Sequence, residues 1–239
     1  VIAYVQRSCG EWINGNAFAA QDGFRQLGVE VRGFEALEDL TLDGDVIVHG
    51  YVGVVRRAIE LIGATPPFVP DLPESLTAFR GRKVERTTLG AVRKGEEPVF
   101  VKPYREHKAF TGYVRGRDLH DLSRSAHLDD EFEVLASEAV RFVSEWRCFV
   151  LSGRCIGVRP YVQTHLDPMP DLRLVDPIIE AFVEAPIAYS VDLGRLDDGR
   201  TVLVEINDAY SLGCYGLPSV PYAQMIEARF REIVGSRDR

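Results

Sequence analysis

The order of apolar and polar positions divides the chain into two regimes. At first, short apolar runs alternate with segments of helical spacing. "VIAYV" at the start reads as a β-strand, and Asn14 to Leu27 sets Phe18, Phe24 and Leu27 at helical intervals ahead of Gly28. "VEVRGF" and "DVIVHGY" read as two further strands, and Val54 to Ile62 as a second helix stopped by Gly63. Strands alternating with helices predict a small parallel α/β unit. "ATPPFVPDLPES" follows with four prolines and reads as a linker, with a domain boundary near Asp71.

Beyond that boundary the period shifts towards two. "RKVERTTLGAV", "PVFVKP", "AFTGYVRG", "FEVLASEAV", "SEWRCFVL", "RCIGVRPYV", "IAYSVDLG" and "RTVLVEIN" read as short strands joined by turns. Helical pattern returns in short pieces and at "PYAQMIEARFREIV", so an antiparallel-rich α+β region is expected.

Bulk properties exclude several classes. A formal charge of −8 over 239 residues argues against general nucleic-acid binding, which wants a basic surface. No apolar run approaches the ~20 residues of a membrane helix. The N-terminal run reads as a strand and not as a signal peptide. The four cysteines show no C-x-x-C pairing, so reduced thiols in a cytoplasmic protein are expected. The five histidines have no metal-ligand spacing, and His49 reads as a structural residue at a strand end. The first loop, "RSCGEWINGN", lacks the glycine fingerprint of a dinucleotide site.

Chemistry gathers in three hairpins. Asp198-Gly199 is a two-residue type I′ turn signal, and counting outward from it sets Asp192 opposite Glu205. Asn207, two residues on, shares the face of Glu205. Facing carboxylates repel unless a cation lies between them, and hard oxygen donors of this kind suit Mg²⁺. The alternative is an exposed hairpin with a polar solvent side, which the apolar flanks "IAYSV" and "TVLV" oppose. Lys102 ends one strand and Lys108 opens the next, so both could reach one polyphosphate from the same side; the alternative is two solvated lysines at a turn. In "SEWRCFVLSGRCIGVRPY", a two-residue turn at Ser152-Gly153 sends Arg147 and Arg159 to opposite faces, whereas one extra loop residue pairs them. The longer loop is expected, because paired arginines suit phosphates.

Lysine, lysine, E-x-R, arginine, aspartate and E-x-N in this order resemble the ATP-grasp superfamily, and more closely a clade of small ATP-grasp proteins marked by two arginines and a lysine. The hairpins also look like those of peptide ligases related to glutathione synthetase and to the ribosomal-protein glutamate ligases. The resemblance covers Arg82 to Leu217. It implies an α/β pre-ATP-grasp unit (1–72) followed by an α+β ATP-grasp domain of two antiparallel-sheet subdomains (73–137 and 138–239) with ATP between them.

By that resemblance, Lys102 and Lys108 bind ATP phosphates. Leu135 to Val140 is the hinge strand, whose backbone meets adenine, with Glu138, Ala139 and Val140 at the nucleotide. Glu145 supports Arg147 or reaches the ribose. Arg147 and Arg159 contact the transferring phosphate, and Asp192, Glu205 and Asn207 ligate Mg²⁺. Arg7, Ser8 and Trp12 border the substrate, and Tyr210 or Tyr215 the acceptor pocket. The implied activity is an ATP- and Mg²⁺-dependent carboxylate–amine ligation through an acyl phosphate, on small-molecule or peptide carboxylates and amines. A phosphotransferase and a non-catalytic nucleotide-binding module are the alternatives. Relative to larger members the chain is short, and its glycine-rich phosphate loop is reduced to "AFTG".

Overall fold

The computed structural model describes residues 1–105, 109–116, 121–161 and 168–235. Its first sheet centres on β1 (Ile2–Ser8), against whose end the short β2 (Glu11–Trp12) folds back. After helix α1 (Gly15–Gln26) come β3 (Glu30–Phe34) and β4 (Val46–His49), both parallel to β1, and then helix α2 (Val52–Leu61). The expected β-α-β-β-α order is therefore present. Asn14 caps α1, its Oδ1 accepting from the N–H groups of Asn16 and Ala17.

Two four-stranded antiparallel sheets follow the linker. The second sheet of the molecule contains β5 (Val84–Thr88), β6 (Val99–Pro103), β7 (Tyr113–Arg115) and β8 (Glu133–Glu138), in the order β5-β8-β6-β7. The third contains β9 (Phe142–Leu151), β10 (Arg154–Pro160), β11 (Ala188–Leu196) and β12 (Thr201–Asp208), in the order β10-β9-β11-β12. Helix α3 (Leu89–Lys94) follows β5 directly, α4 (Val175–Ala181) precedes β11, and α5 (Ser219–Gly235) comes after β12. The sequence pattern continues the β5 strand through "LGAV". In the structure Thr88 ends the strand as a helix cap, its Oγ1 accepting from the Ala91 N–H, and those residues become α3.

Period-two alternation sorts side chains between core and cleft. In the second sheet Val101, Val134 and Ala136 enter the core under α3, while Phe100, Lys102, Leu135 and Ser137 face away from it into a cleft. In the third sheet Cys148, Val191, Leu193 and Leu203 pack with Ile178 of α4, and Glu145, Gly194 and Glu205 lie on the opposite face. The first sheet shares its core with α5: Val5, Phe24 and Ile47 pack in one cluster with Tyr222, Met225 and Phe230. Helices α1 and α5 touch at Gly23, where a Cβ would stand 2.0 Å from the carbonyl oxygen of Ser219.

Candidate active site

The polar stripe on the third sheet depends on two strand irregularities. The turn between β11 and β12 is not the expected two-residue type I′ loop. Leu196 and Arg200 close a three-residue loop, Asp197 to Gly199, in which Gly199 alone has positive φ (+89°). The pairing therefore starts one residue out, with Arg195 opposite Thr201. A bulge at Val204 then restores it, so Asp192 does lie opposite Glu205. Arg82 holds that bulge, donating to the carbonyls of Leu203 and Val204 at 2.8 and 3.1 Å.

The arginine hairpin reaches its expected pairing by another route as well. Its loop is the two-residue turn, Ser152 (φ +50°) and Gly153 (φ +72°), and not the longer one. The extra residue is Ile156, a bulge inside β10, and it brings Arg159 opposite Arg147. Both turn types fit the residues present. What decides register is the bulge, where the strand adds a residue without adding a turn signal.

On this face the charges are arranged as pairs. Arg147 Nε and Nη2 donate to the two oxygens of Asp192 at 2.8 and 2.6 Å, a bidentate geometry that requires the ionised carboxylate. Asp192 is buried, and Ser190 Oγ and Asn207 Nδ2 complete its hydrogen bonds. Burial pushes the Asp192 pKa up against the pull of Arg147. Burial works to lower that of Arg147, but the bond to Asp192 holds it above the ordinary guanidinium value. Asn207 Nδ2 also donates to Glu205 Oε1 at 3.1 Å, so one amide spans both carboxylates.

Glu205 turns towards the second sheet. Lys102 Nζ lies 2.8 Å from Glu205 Oε2 and 2.5 Å from Asp71 Oδ2. Burial opposes the lysine's charge, but these two carboxylates raise its pKa above the ordinary value. Beside them Glu145 has its pKa raised by burial and by the negative charges of Asp192 and Glu205.

A cavity of about 300 Å³ opens between the two sheets, lined by Lys102, Glu138, Ala139, Val140, Glu145 and Glu205. All of these are expected site residues, and they share one cavity. Phe100, Leu135 and Phe142 supply apolar wall, and Gly112 leaves room for Phe100, since a Cβ there would stand 2.7 Å from its ring. Glu138 Oε2 accepts from the Lys83 N–H at 2.8 Å. Arg147, Asp192 and Asn207 adjoin the cavity through Glu205, and Arg159 lies beyond them. Lys108 falls outside the described residues, as do His107, His120 and His165. A larger groove of about 660 Å³ lies behind the wall of Leu72, Val84 and Leu135, and none of the expected charged site residues lines it.

The donor set fits Mg²⁺. Asp192 and Glu205 bring carboxylate oxygens to one face, drawn together by Asn207 Nδ2, and the oxygen of the same amide would be the third hard donor. Among the described residues no group of three or more His, Cys, Asp or Glu is arranged to hold a metal. Two carboxylates and an amide are nonetheless enough for Mg²⁺, which keeps water and phosphate oxygens as its other ligands.

Two members of the site carry no local sequence signal. Asp71 sits in the proline-rich stretch that reads as a linker, yet its side chain meets Lys102 and its carbonyl accepts from the Ile206 N–H at 2.7 Å. Arg82 clamps the bulge beside Glu205. Of the other expectations, Arg7 stacks on Trp12, Cζ to ring centroid 4.0 Å, within the first unit. Of the two tyrosines expected near the acceptor, Tyr210 is buried in the first core and Tyr215 lies beside Arg147. His49 is buried edge-on to Tyr222.

Residues 79–225 match an ATP-grasp domain family, the second family of the clade named for two arginines and a lysine. No protein of curated function matches the sequence. Among solved structures, a RimK domain protein ATP-grasp from Sphaerobacter thermophilus DSM 20745 superposes with TM-score 0.61 at 15% identity, covering 96% of this chain and 98% of its own. The D-cycloserine synthetase DcsG gives TM-score 0.62 at 14% identity, covering 96% of this chain and 100% of its own. A D-alanine–D-alanine ligase from Bacillus anthracis gives 0.55 at 12% identity, covering 98% of each chain. At these identities the likeness is one of fold.

Proposed function

Because this chain belongs to the ATP-grasp domain family, in the clade of two arginines and a lysine, we propose that it is an ATP- and Mg²⁺-dependent carboxylate–amine ligase. The carrying observation is that Lys102, Glu205, Asn207, Asp192 and Arg147 form one continuous contact network along a cavity between two antiparallel sheets.

In this proposal residues 1–72, 73–137 and 138–239 are the pre-ATP-grasp unit and the two subdomains around ATP. Adenine meets the backbone of Glu138 to Val140 against Phe100 and Leu135, and Glu145 lies towards the ribose side. Lys102, with Lys108, binds the phosphates. Asp192, Glu205 and Asn207 would hold Mg²⁺, which when bound offsets phosphate charge. Arg147 and Arg159 balance the charge of the transferring phosphoryl group, the largest demand of such a reaction.

The substrate carboxylate oxygen attacks the γ-phosphorus, and the bond to the β-phosphate oxygen breaks to release ADP. The amine nitrogen of the acceptor then attacks the acyl carbon. Phosphate leaves with the electron pair of its C–O bond, and the nitrogen loses a proton. No side-chain nucleophile is needed.

The test is release of ADP and phosphate from Mg·ATP with amino acids and short peptides as carboxylates, with and without amines, and with Glu205→Gln as control. Amine-dependent release of both products, lost in the control, supports the ligase. A product that retains the phosphate makes the protein a phosphotransferase. No nucleotide binding at all sinks the proposal.

A further inference from the structure

Between β12 and α5 the chain passes through a conformation that its residues do not favour. Tyr215 has φ +45°, in the left-handed region that bulky residues avoid. Gly216 follows at φ +85°, and the Leu217 N–H donates to the Cys214 carbonyl at 2.7 Å, giving a tight turn of the mirror-image type. Asparagine or glycine would take the first position with little strain. The turn is pinned to α1 by the Cys214 N–H, which donates to Asn16 Oδ1 at 2.9 Å.

The strained turn is placed against both arginines of the site. The ring of Tyr215 stacks on Tyr161, centroids 4.7 Å apart and planes 28° from parallel. Arg147 Cζ lies 4.7 Å from the Tyr215 centroid and 5.2 Å from that of Tyr161. Asp192 therefore fixes the edge of the Arg147 guanidinium, and the tyrosines lie against it from another side. The next residue acts on the other arginine: Arg159 Nε donates to the Gly216 carbonyl at 2.8 Å. Gly213 leaves the space required, since a Cβ there would stand 2.8 Å from Tyr215 Cε2.

We propose that Tyr215 is a positioning residue, and that the Tyr215–Gly216 turn sets Arg147 and Arg159 together for the terminal phosphate of ATP. Backbone strain at this position is retained because the ring and the following carbonyl each orient one arginine. The proposal rests on the role given to those arginines above. Tyr161 completes the aromatic stack from β10's end, so the device joins the arginine hairpin to the strand that carries Glu205.

Calorimetric titration of the full chain with Mg·ADP and with Mg·AMPPNP tests this, because only the second ligand has a terminal phosphate for the arginines. Wild type should bind AMPPNP more tightly than ADP. Tyr215→Asn relieves the strain and removes the ring. It should lower the AMPPNP-to-ADP affinity ratio about tenfold, with ADP affinity unchanged and the thermal midpoint equal or higher. Tyr215→Phe should keep the ratio. An undiminished ratio in Tyr215→Asn overturns the proposal, as does a parallel loss of stability and of affinity for both nucleotides. A wild type that does not discriminate between them overturns the role of the arginines, and this inference falls with it.

Discussion

Lys102 and Glu205 meet across the cleft: the lysine belongs to β6 in the second sheet, the glutamate to β12 in the third, and Nζ and Oε2 are 2.8 Å apart. One ammonium therefore bridges two sheets that, among the described residues, share no strand pairing. Because Asp71 holds the same ammonium, three side chains from distant parts of the chain meet at one point beside the cavity.

Glu205→Gln keeps the shape of this bridge but removes its charge. ADP release is expected to fall by about a hundredfold, with a higher Mg²⁺ requirement for what remains. A coupled ADP assay over a Mg²⁺ series checks both effects. Unchanged turnover would remove Glu205 from the proposed metal site.

Asp71→Asn leaves Lys102 with one carboxylate partner in place of two. The folded state should lose about 2 kcal/mol, less than when a buried charge is stranded outright. Urea denaturation at neutral pH measures this. A midpoint equal to that of wild type would mean that Asp71 contributes only its backbone carbonyl.

Gly194 lies opposite Glu145 on β9, and a Cβ there would stand 2.3 Å from the Phe142 ring and 2.8 Å from Val204. Gly194→Ala should cost about 1–3 kcal/mol through overpacking and push Phe142 into the cavity it lines. Weaker ADP binding together with a lower thermal midpoint is the expected pair of results.

Deleting Ile156 removes the bulge from β10 while leaving the Ser152–Gly153 turn intact. Cys155 then still pairs with Val150 and Gly157 with Phe149, so Arg159 should stay opposite Arg147 in an unbroken ladder. The expected result is a retained preference for AMPPNP over ADP, read by titration of both ligands. Its loss would mean that the bulge itself, and not only the pairing, shapes the arginine site.

Burial lowers the pKa of His49 from 6.5 to about 4. The unfolded chain takes up this proton below about pH 6.5, and the folded protein only near pH 4. The stability from neutral burial is thus complete above about pH 6.5 and declines as the pH falls towards 4, by about 3 kcal/mol in total. His49→Gln should flatten that slope in urea midpoints collected between about pH 7 and pH 4.

The strands were legible because their apolar residues alternate, and α5 because Tyr222, Ile226, Phe230 and Ile233 fall on one helical face. That the residues of the E-x-R and E-x-N hairpins would gather followed from the same alternation. The register did not follow. "DDG" allows a loop of two or three residues, and the compensating bulge at Val204 is held by Arg82 from outside the hairpin. Asp192 faces Glu205 because two shifts cancel, and only the net pairing was readable. Asp71 was unreadable for a related reason, since its partner Lys102 belongs to another sheet and prolines beside it mark a linker whatever its side chains touch.

The packing of α5 into the first sheet has a consequence for how the molecule is made. Val5, Phe24 and Ile47 leave the ribosome well before Tyr222, Met225 and Phe230, which cover them. The opening α/β segment must therefore wait, its apolar face uncovered, until both sheets of the cleft have been synthesised. Closing so long a loop slows folding, because its entropy is lost before the final contacts repay it. The two segments act as a clasp, and the sheets of the cleft are strung between its halves.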